Sequence, residues 1–162
     1  MSFDIRDMRD ADGAALIALM ERCWADYPGC VLDVEGDSPE LWTPASYFTG
    51  LGGRGWVAER GGAVVASIGV APGSAPGVAE LHRLYVDHSA RRQGLAKRLV
   101  ALVEDAARGW DAHTMELWSD VRFTLSHQLY ERQGFTRQPG TRELDDASKS
   151  VESRFVKPLG GP

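Results

Sequence analysis

Cysteine is scarce in this chain of 162 residues: only Cys23 and Cys30 are present. Two thiols with no further cysteine or histidine at ligand spacing exclude a disulfide framework and a zinc site. They read as reduced thiols, with a surface or redox role as the alternative. No stretch approaches the roughly 20 apolar residues of a membrane span. The opening Met1-Ser2-Phe3-Asp4-Ile5-Arg6 lacks the basic start and apolar block of a signal peptide. A cytoplasmic protein without membrane association is therefore expected. A basic excess is also missing. Lys and Arg number 18 against 23 Asp and Glu, a net charge of −5, so a broad nucleic-acid surface and a nucleic-acid partner are not expected. The P-loop pattern G-x-x-x-x-G-K-[ST] is absent, which disfavours nucleotide hydrolysis. His88, His113 and His127 show no metal spacing with any acid or cysteine, so no metal is expected. Internal repeats and low-complexity segments are missing too.

What remains is an ordinary globular composition, 43% hydrophobic and 25% charged, long enough for one domain with a sizeable core, taken here as residues 1–162. Charge is unevenly spread. Residues 1–50 carry ten acids and three bases, so a cationic ligand would favour the first part and an anionic one the rest. The plainer reading is that Asp33, Glu35 and Asp37 solvate a loop.

Periodicity predicts a first strand over Phe3–Met8 and a helix from Asp10 or Asp12 to about Trp24, with Leu16, Ile17, Leu19, Met20 and Cys23 on one face. Tyr27-Pro28-Gly29 breaks it. Ser38-Pro39-Glu40 opens a second helix, to about Tyr47 or Phe48. Gly50 to Gly55 matches the letters G-x-G-x-x-G, but a helix precedes it and a strand follows. This is the wrong context for a dinucleotide site, and it reads as a flexible connector. Two strands joined at Gly61-Gly62 form a hairpin. Another strand runs from about Glu80 to Val86. A long helix carries Leu95, Leu99, Leu102, Val103 and Ala106. Met115 to Trp118 is a short strand, and Asp120 can cap a helix to about Arg132 with Gly134 as its stop. Strands at Phe135 and Val151–Val156 close the chain. This order suggests an α/β (α+β) domain: a mixed sheet of about six or seven strands with about four helices on its faces.

Arg91-Arg92-Gln93-Gly94-Leu95-Ala96 lies where a strand hands over to that long helix. A helix N-terminus offers unpaired N–H groups and partial positive charge. Gly94 lets a ligand approach the backbone, and Arg91, Arg92 and Lys97 add full charge. Together they suit a pyrophosphate. The alternative is a pair of solvated arginines and a helix-start glycine.

Three pieces resemble one family. Arg91-x-x-Gly94-x-Ala96 is similar to the acyl-CoA signature Q/R-x-x-G-x-G/A of the GNAT superfamily of N-acyltransferases. Leu84-Tyr85-Val86 resembles the strand before that signature, and Leu129-Tyr130-Glu131-Arg132-Gln133-Gly134-Phe135 resembles the family's later L-Y-E-x-x-G-F. The resemblance covers roughly residues 3–157. It implies a single GNAT-like domain with a splayed strand pair that binds acyl-CoA, acetyl-CoA as acyl-donor co-substrate, no metal, a small-molecule amine or a protein amine as acceptor, and a homodimer. One departure stands out. Many relatives carry asparagine and alanine at the positions of Phe123 and Ser126. The asparagine's contact is therefore lost, or taken over by Ser119, Thr124 or Ser126.

By that resemblance, Leu84, Tyr85 and Val86 flank the donor's amide arm, with main-chain pairing from Leu84 and Val86. Arg91, Arg92, Gln93, Gly94, Leu95, Ala96 and Lys97 hold its pyrophosphate. The reaction is direct attack of an amine on the thioester within a ternary complex. Tyr130 takes the family's acid position, with a core tyrosine as the alternative, and the Leu84 N–H could meet the oxyanion. Glu80, eleven residues before Arg91, has the spacing of a catalytic base in some relatives. Strand alternation puts Glu80, His82, Leu84 and Val86 on one face. His82 is an alternative base, and a structural ion pair is the alternative role for Glu80. Glu116 is a third candidate carboxylate, and His127 a packing or surface residue. The acceptor pocket is expected among Trp24, Asp26, Tyr27, Asp33, Glu35, Trp42 and Tyr47, where aromatics and acids suit a cationic amine. A non-catalytic acyl-CoA sensor is the competing function.

Overall fold

The computed structural model describes residues 2–160. Eight strands form one sheet: β1 (Asp4–Asp7), β2 (Arg54–Arg60), β3 (Ala63–Pro72), β4 (Val78–Val86), β5 (Thr114–Asp120), β6 (Thr136–Arg137), β7 (Arg142–Glu143) and β8 (Val151–Pro158). Five helices accompany them: α1 (Gly13–Trp24), α2 (Val34–Asp37), α3 (Pro44–Gly50), α4 (Leu95–Gly109) and α5 (Thr124–Arg132). The order across the sheet is β1-β2-β3-β4-β5-β8-β6, with β7 also paired to β8. All pairs are antiparallel except β4 with β5.

The expected mixed sheet is present, with short elements added. The acidic loop holds the single-turn α2. The helix expected from Ser38 splits into a 3-10 turn, Pro39–Trp42, and α3, because Pro44 removes a backbone donor in mid-run and restarts the helix. Asp120 does not cap α5. Its carboxylate grips the backbone and guanidinium of Arg122, at 2.8 Å each, and the helix begins three residues later than that cap would place it. Of the glycines at 50–55, Gly50 ends α3 and Gly55 lies in β2, so the connector is a short turn in which Gly53 packs closely. A side chain at Gly53 would collide with the Val70 carbonyl of β3.

Two cores sandwich the sheet. On one face α4 buries Leu95, Leu99, Val100, Val103 and Ala107 against Ile68, Leu81, Leu84, Met115 and Leu117, and Tyr130, Phe135 and Phe155 continue that layer. Leu102 and Ala106, expected on this face, sit half-buried at its flank. On the other face α1 and α3 bury Leu16, Leu19, Met20 and Phe48 against Val57, with Tyr85 packed alongside. Each fully buried aliphatic or aromatic side chain contributes roughly 1.5–3 kcal/mol, so the amphipathic faces read from the sequence hold both helical layers to the sheet.

β4 and β5 pair over only three positions: Val78 with Thr114, Ala79 with Met115 and Glu80 with Glu116. Beyond them β5 turns to β8, which it follows over its whole length. Glu116 marks the fork. It is fully buried and accepts from Arg154 Nε (2.8 Å), Ser74 N (2.7 Å) and Ser74 Oγ (2.9 Å), which holds its carboxyl below the usual range despite burial. These bonds tie β5 to β8 and to the β3–β4 turn. Glu116→Leu should therefore destabilise the fold by about 3 kcal/mol, since it strands Arg154 and the Ser74 donors. A lowered urea midpoint at unchanged slope is the expected result.

Candidate active site

β4 carries an irregularity that the sequence pattern did not show. Ser67 of β3 pairs with Tyr85 and Gly69 with His82, so Ile68 alone stands opposite both Arg83 and Leu84. This is a β-bulge, and Arg83 sits in it at φ 52°. That conformation costs a non-glycine residue on the order of 1 kcal/mol. The buried Ser67 hydroxyl donates to the Arg83 carbonyl at 2.8 Å and fixes the bulge.

The bulge resets the alternation of faces and corrects the expectation for residues 80 to 86. Glu80 and His82 stand on the α1/α3 face, where the His82 ring lies 5.8 Å from Phe48. Leu84 and Val86 belong to the α4 side, and Tyr85 joins Glu80 and His82 on the other.

Where β4 and β5 part, a cavity of about 510 Å³ opens between α4, α5 and the end of α1. Leu84, Tyr85 and Val86 line one wall, with Arg91, Arg92, Gly94, Leu95, Ala96 and Lys97 beyond them. Tyr130, Leu129 and Ser126 of α5 form the opposite wall. Four cations border it (Arg91, Arg92, Lys97 and Arg132) and no carboxylate does, among the described residues. Of the expected cradle, Gln93 alone is not in the lining; its side chain turns back to Ser89 O at 3.2 Å.

The turn into α4 has the backbone geometry of an anion nest. Arg92 (φ 62°) and Gly94 (φ 78°) both adopt left-handed backbone, which aims successive N–H groups inward. Gly94 is the residue that precedes the helix, and Arg98 N–H makes the first return bond, to its carbonyl. The N–H groups of residues 92–97 have no acceptor among the described residues. The Arg91 side chain is committed elsewhere. Its Nε donates to Val86 O (3.0 Å), and its guanidinium reaches Cys23 Sγ (3.8 Å) and Asp26 (3.9 Å). Arg91 thus braces the wall with its side chain and takes the Val86 carbonyl, leaving the backbone of this turn and Arg92 and Lys97 for a ligand.

Strand geometry supplies a second set of free groups. Asp87 N–H bonds Val65 O of β3, and Val86 O points away from β3. Alternation therefore directs the polar groups of Leu84 and the N–H of Val86 into the gap left by β5, the Val86 carbonyl being held by Arg91.

Tyr130 is buried and lines the cavity. Burial, aided by Tyr85, pushes its phenol well above the ordinary range, and no protein group hydrogen-bonds its hydroxyl among the described residues. Tyr85 receives Trp24 Nε1 at 3.2 Å, and burial pushes its phenol up to about 12. Both phenols are uncharged near neutral pH. The two tyrosines stand on opposite faces of the sheet yet border the same cavity, so the gap passes from one face to the other.

Glu80 stands at the fork on the α1/α3 face and does not line that cavity. Burial, with the Glu116 carboxylate nearby, raises its carboxyl to about 7. His82 Nε2 lies 3.4 Å away, and burial with the Arg83 and Arg142 guanidinium groups lowers its imidazole to about 4. Between these values both groups are uncharged; above about 7 Glu80 becomes a carboxylate.

The first fifty residues divide between two places. Trp24 and Tyr27, expected around the acceptor, line this cavity beside the turn into α4. There they meet Phe123, whose ring lies 6.1 Å from Trp24 and 4.9 Å from Tyr27. Phe123 is thus part of an aromatic roof, and Ser126 is the polar neighbour that reaches the cavity; Ser119 and Thr124 do not line it. Asp26 pairs with His88 (2.6 Å), Asp33 accepts from Gly36 N and Glu35 from Trp42 Nε1. Tyr47 faces Arg83. Arg83 donates to Glu40 at 2.7 Å, and its Nη1 is buried with no partner among the described residues. An orphaned cationic donor costs about 1–3 kcal/mol. His127 is buried. Its Nδ1 accepts from Arg137 (2.6 Å), so Nε2 carries the hydrogen and donates to Asp120 O, and the ring packs 5.0 Å from Phe155. Sequence reasoning missed Arg132, the aromatic roof and Arg83. The roof had one visible signal, the aromatic at Phe123.

N-acetyltransferase 8 of Homo sapiens is 32% identical over 127 residues, 76% of this chain and 54% of its own length. The matched stretches span between 30% and 54% of the curated relatives. An acetyltransferase of Staphylococcus aureus Mu50 superposes with a TM-score of 0.82 at 17% identity, covering 98% of this chain and all of that one. yncA of Salmonella typhimurium, solved with its cofactor acetyl-CoA, gives 0.73 at 20% identity over all of this chain and 96% of that one. Among the described residues no helix is long and apolar enough to cross a membrane. The model of the Acetyltransferase (GNAT) family matches residues 16–135. With that match over most of its length, the chain belongs to the GNAT acetyltransferase family.

Proposed function

We propose that the protein transfers the acetyl group of acetyl-CoA to the primary amine of an acceptor, by direct attack while both are bound. The observation that carries this reading is the gap between β4 and β5. It sets free donors and cations on one side and a carboxyl held near neutrality on the other.

The residues present fit acyl-CoA. The N–H groups of residues 92–97, with Arg92 and Lys97, hold the pyrophosphate. The turned-out polar groups of Leu84 and the N–H of Val86 pair with the amides of the pantetheine arm. The Trp24–Tyr27–Phe123 roof offers apolar cover where relatives offer an asparagine amide. The thioester then lies between Leu84 and Tyr130.

Glu80 above pH 7 takes the proton that an ammonium must lose before it attacks, directly or through water. His82, held near 4, is the weaker base. As the amine adds, negative charge grows on the carbonyl oxygen, and the Leu84 N–H stabilises it. Tyr130 stays protonated at every physiological pH and meets the departing thiolate with its hydroxyl. An acid and a base on the two openings of one gap favour turnover over a sensor that only holds the donor.

Three outcomes follow. Gly94→Glu places a carboxylate in the anion cradle and a side chain on left-handed backbone, and should weaken acetyl-CoA binding by on the order of a hundredfold. Retained affinity by calorimetry would place the pyrophosphate elsewhere. Tyr130→Phe should lower kcat about a hundredfold with acetyl-CoA affinity unchanged; an unaltered chemical step removes the acid role. Because Glu80 must be ionised to act, wild-type kcat/KM should rise with pH through about 7. Glu80→Gln should lower the rate by about one to two orders of magnitude and flatten that limb. A pH–rate profile that keeps its limb in the variant moves the base to His82 or water.

A further inference from the structure

Arg83 combines two features that seldom occur together. It is a non-glycine residue on left-handed backbone within a strand, and its guanidinium has a buried arm without a partner. In a regular strand residue 83 would share the α4 face with Leu81. The bulge instead brings its side chain to the α1/α3 face, where Cζ lies 5.0 Å from the centre of the Tyr47 ring. Strain of this kind persists only where the surroundings enforce it, and here the Ser67 hydroxyl does so.

What the guanidinium holds is informative. Nη2 donates to Glu40 Oε1 at 2.7 Å, while Nη1 donates to nothing among the described residues. A guanidinium fork matches a carboxylate best with two parallel donors. Glu40 uses one. It comes from the turn Pro39–Trp42, whose Trp42 and Glu40 flanks lie at the surface or half-buried, and not from the sheet. Arg83 follows Glu80 and His82 on the same strand and faces the same side as they do. That side therefore offers a carboxyl suited to an amine and, within three residues, a cation already gripping a carboxylate with half of its donors.

We propose that Arg83 recognises a carboxylate on the acceptor, so that the substrate is an amino acid or a derivative with a free carboxylate. Glu40 occupies part of that place until the substrate displaces it. The amine then lies toward Glu80 and the carboxylate on the fork of Arg83. Arg83 touches the substrate away from the reacting atoms, so it sets KM and choice of acceptor. The inference rests on the acetyl-transfer reading above.

The test compares amino acids with their own carboxamides, which keep the amine and side chain and remove the charge. Alanine, leucine, phenylalanine, glutamate and lysine, with the α-carboxamide of each, are offered to the full chain with acetyl-CoA, and thiol release is followed. Wild type should favour the best carboxylate over its carboxamide by about tenfold or more in kcat/KM. Arg83→Gln should lower kcat/KM for the carboxylate by at least about tenfold, through KM, and leave the carboxamide within about threefold. Arg83→Lys should restore part of the difference. Glu40→Gln should lower KM for the carboxylate, because it removes the internal competitor. Equal rates for both series in wild type, an equal fall for both in Arg83→Gln, or a raised KM for both in Glu40→Gln would overturn the proposal. Turnover of carboxamides with no preference for carboxylates defeats the role of Arg83 alone. No turnover of any amine by wild type that binds acetyl-CoA defeats the acetyl-transfer reading itself.

Discussion

The parting of β4 from β5 after three ladder positions is the constraint on which the rest of the site depends. A continuous sheet separates its two faces completely, and no group on one side could act with a group on the other. Here the pairing ends at Glu80 and Glu116. Tyr130 on the α5 side and Tyr85 on the α1 side border one cavity as a result. The parting also frees main-chain groups that a neighbouring strand would otherwise consume. Such a gap is stable only because other pairings replace the lost ones. β5 gains β8 along its full length, and Glu116 binds Arg154 and the Ser74 loop at the fork.

The same fork sets the electrostatics. Glu116 is buried more deeply than Glu80, yet it stays ionised because three donors surround it. Glu80 has no such donors among the described residues, and the Glu116 charge lies beside it, so burial and repulsion together raise its carboxyl to about 7. Adjacent carboxylates on neighbouring strands thus take different parts. One is a structural anchor, and the other is poised to exchange a proton near neutral pH. The bulge at Arg83 adds a third element, since it turns a strand residue and its charge toward the face on which Glu80 stands.

The turn into α4 combines local and tertiary causes. Gly94 and the left-handed Arg92 orient the N–H groups, a property of the backbone alone. Its commitment to one cavity comes from the Arg91 side chain, which ties the turn to Val86 and to Cys23 of α1. Charge and shape then agree, because among the described residues the cavity lining holds cations and no carboxylate.

The sequence by itself determined the elements whose causes are local. Apolar spacing marked α1 and α4, Gly61-Gly62 marked the β2–β3 hairpin, and Arg91 to Ala96 marked the anion turn. In each case the determinant lies within one helical face or one turn. Tyr130 and Glu80 were legible as candidates only through the resemblance to the GNAT superfamily, Tyr130 by its L-Y-E-x-x-G-F piece and Glu80 by its distance from the anion turn. Only the tertiary structure decided how the strands meet. The bulge at Arg83 is a mismatch between β3 and β4, invisible in either strand alone, and it undid the simple alternation expected from Glu80 to Val86. Trp24 and Tyr27 joined Phe123 because α1 and α5 converge over one gap, although about a hundred residues of chain separate them. The protonation of Glu80 was likewise beyond the sequence. It follows from burial and from a carboxylate 36 positions away in the chain, placed beside it by the last ladder pair before the strands part.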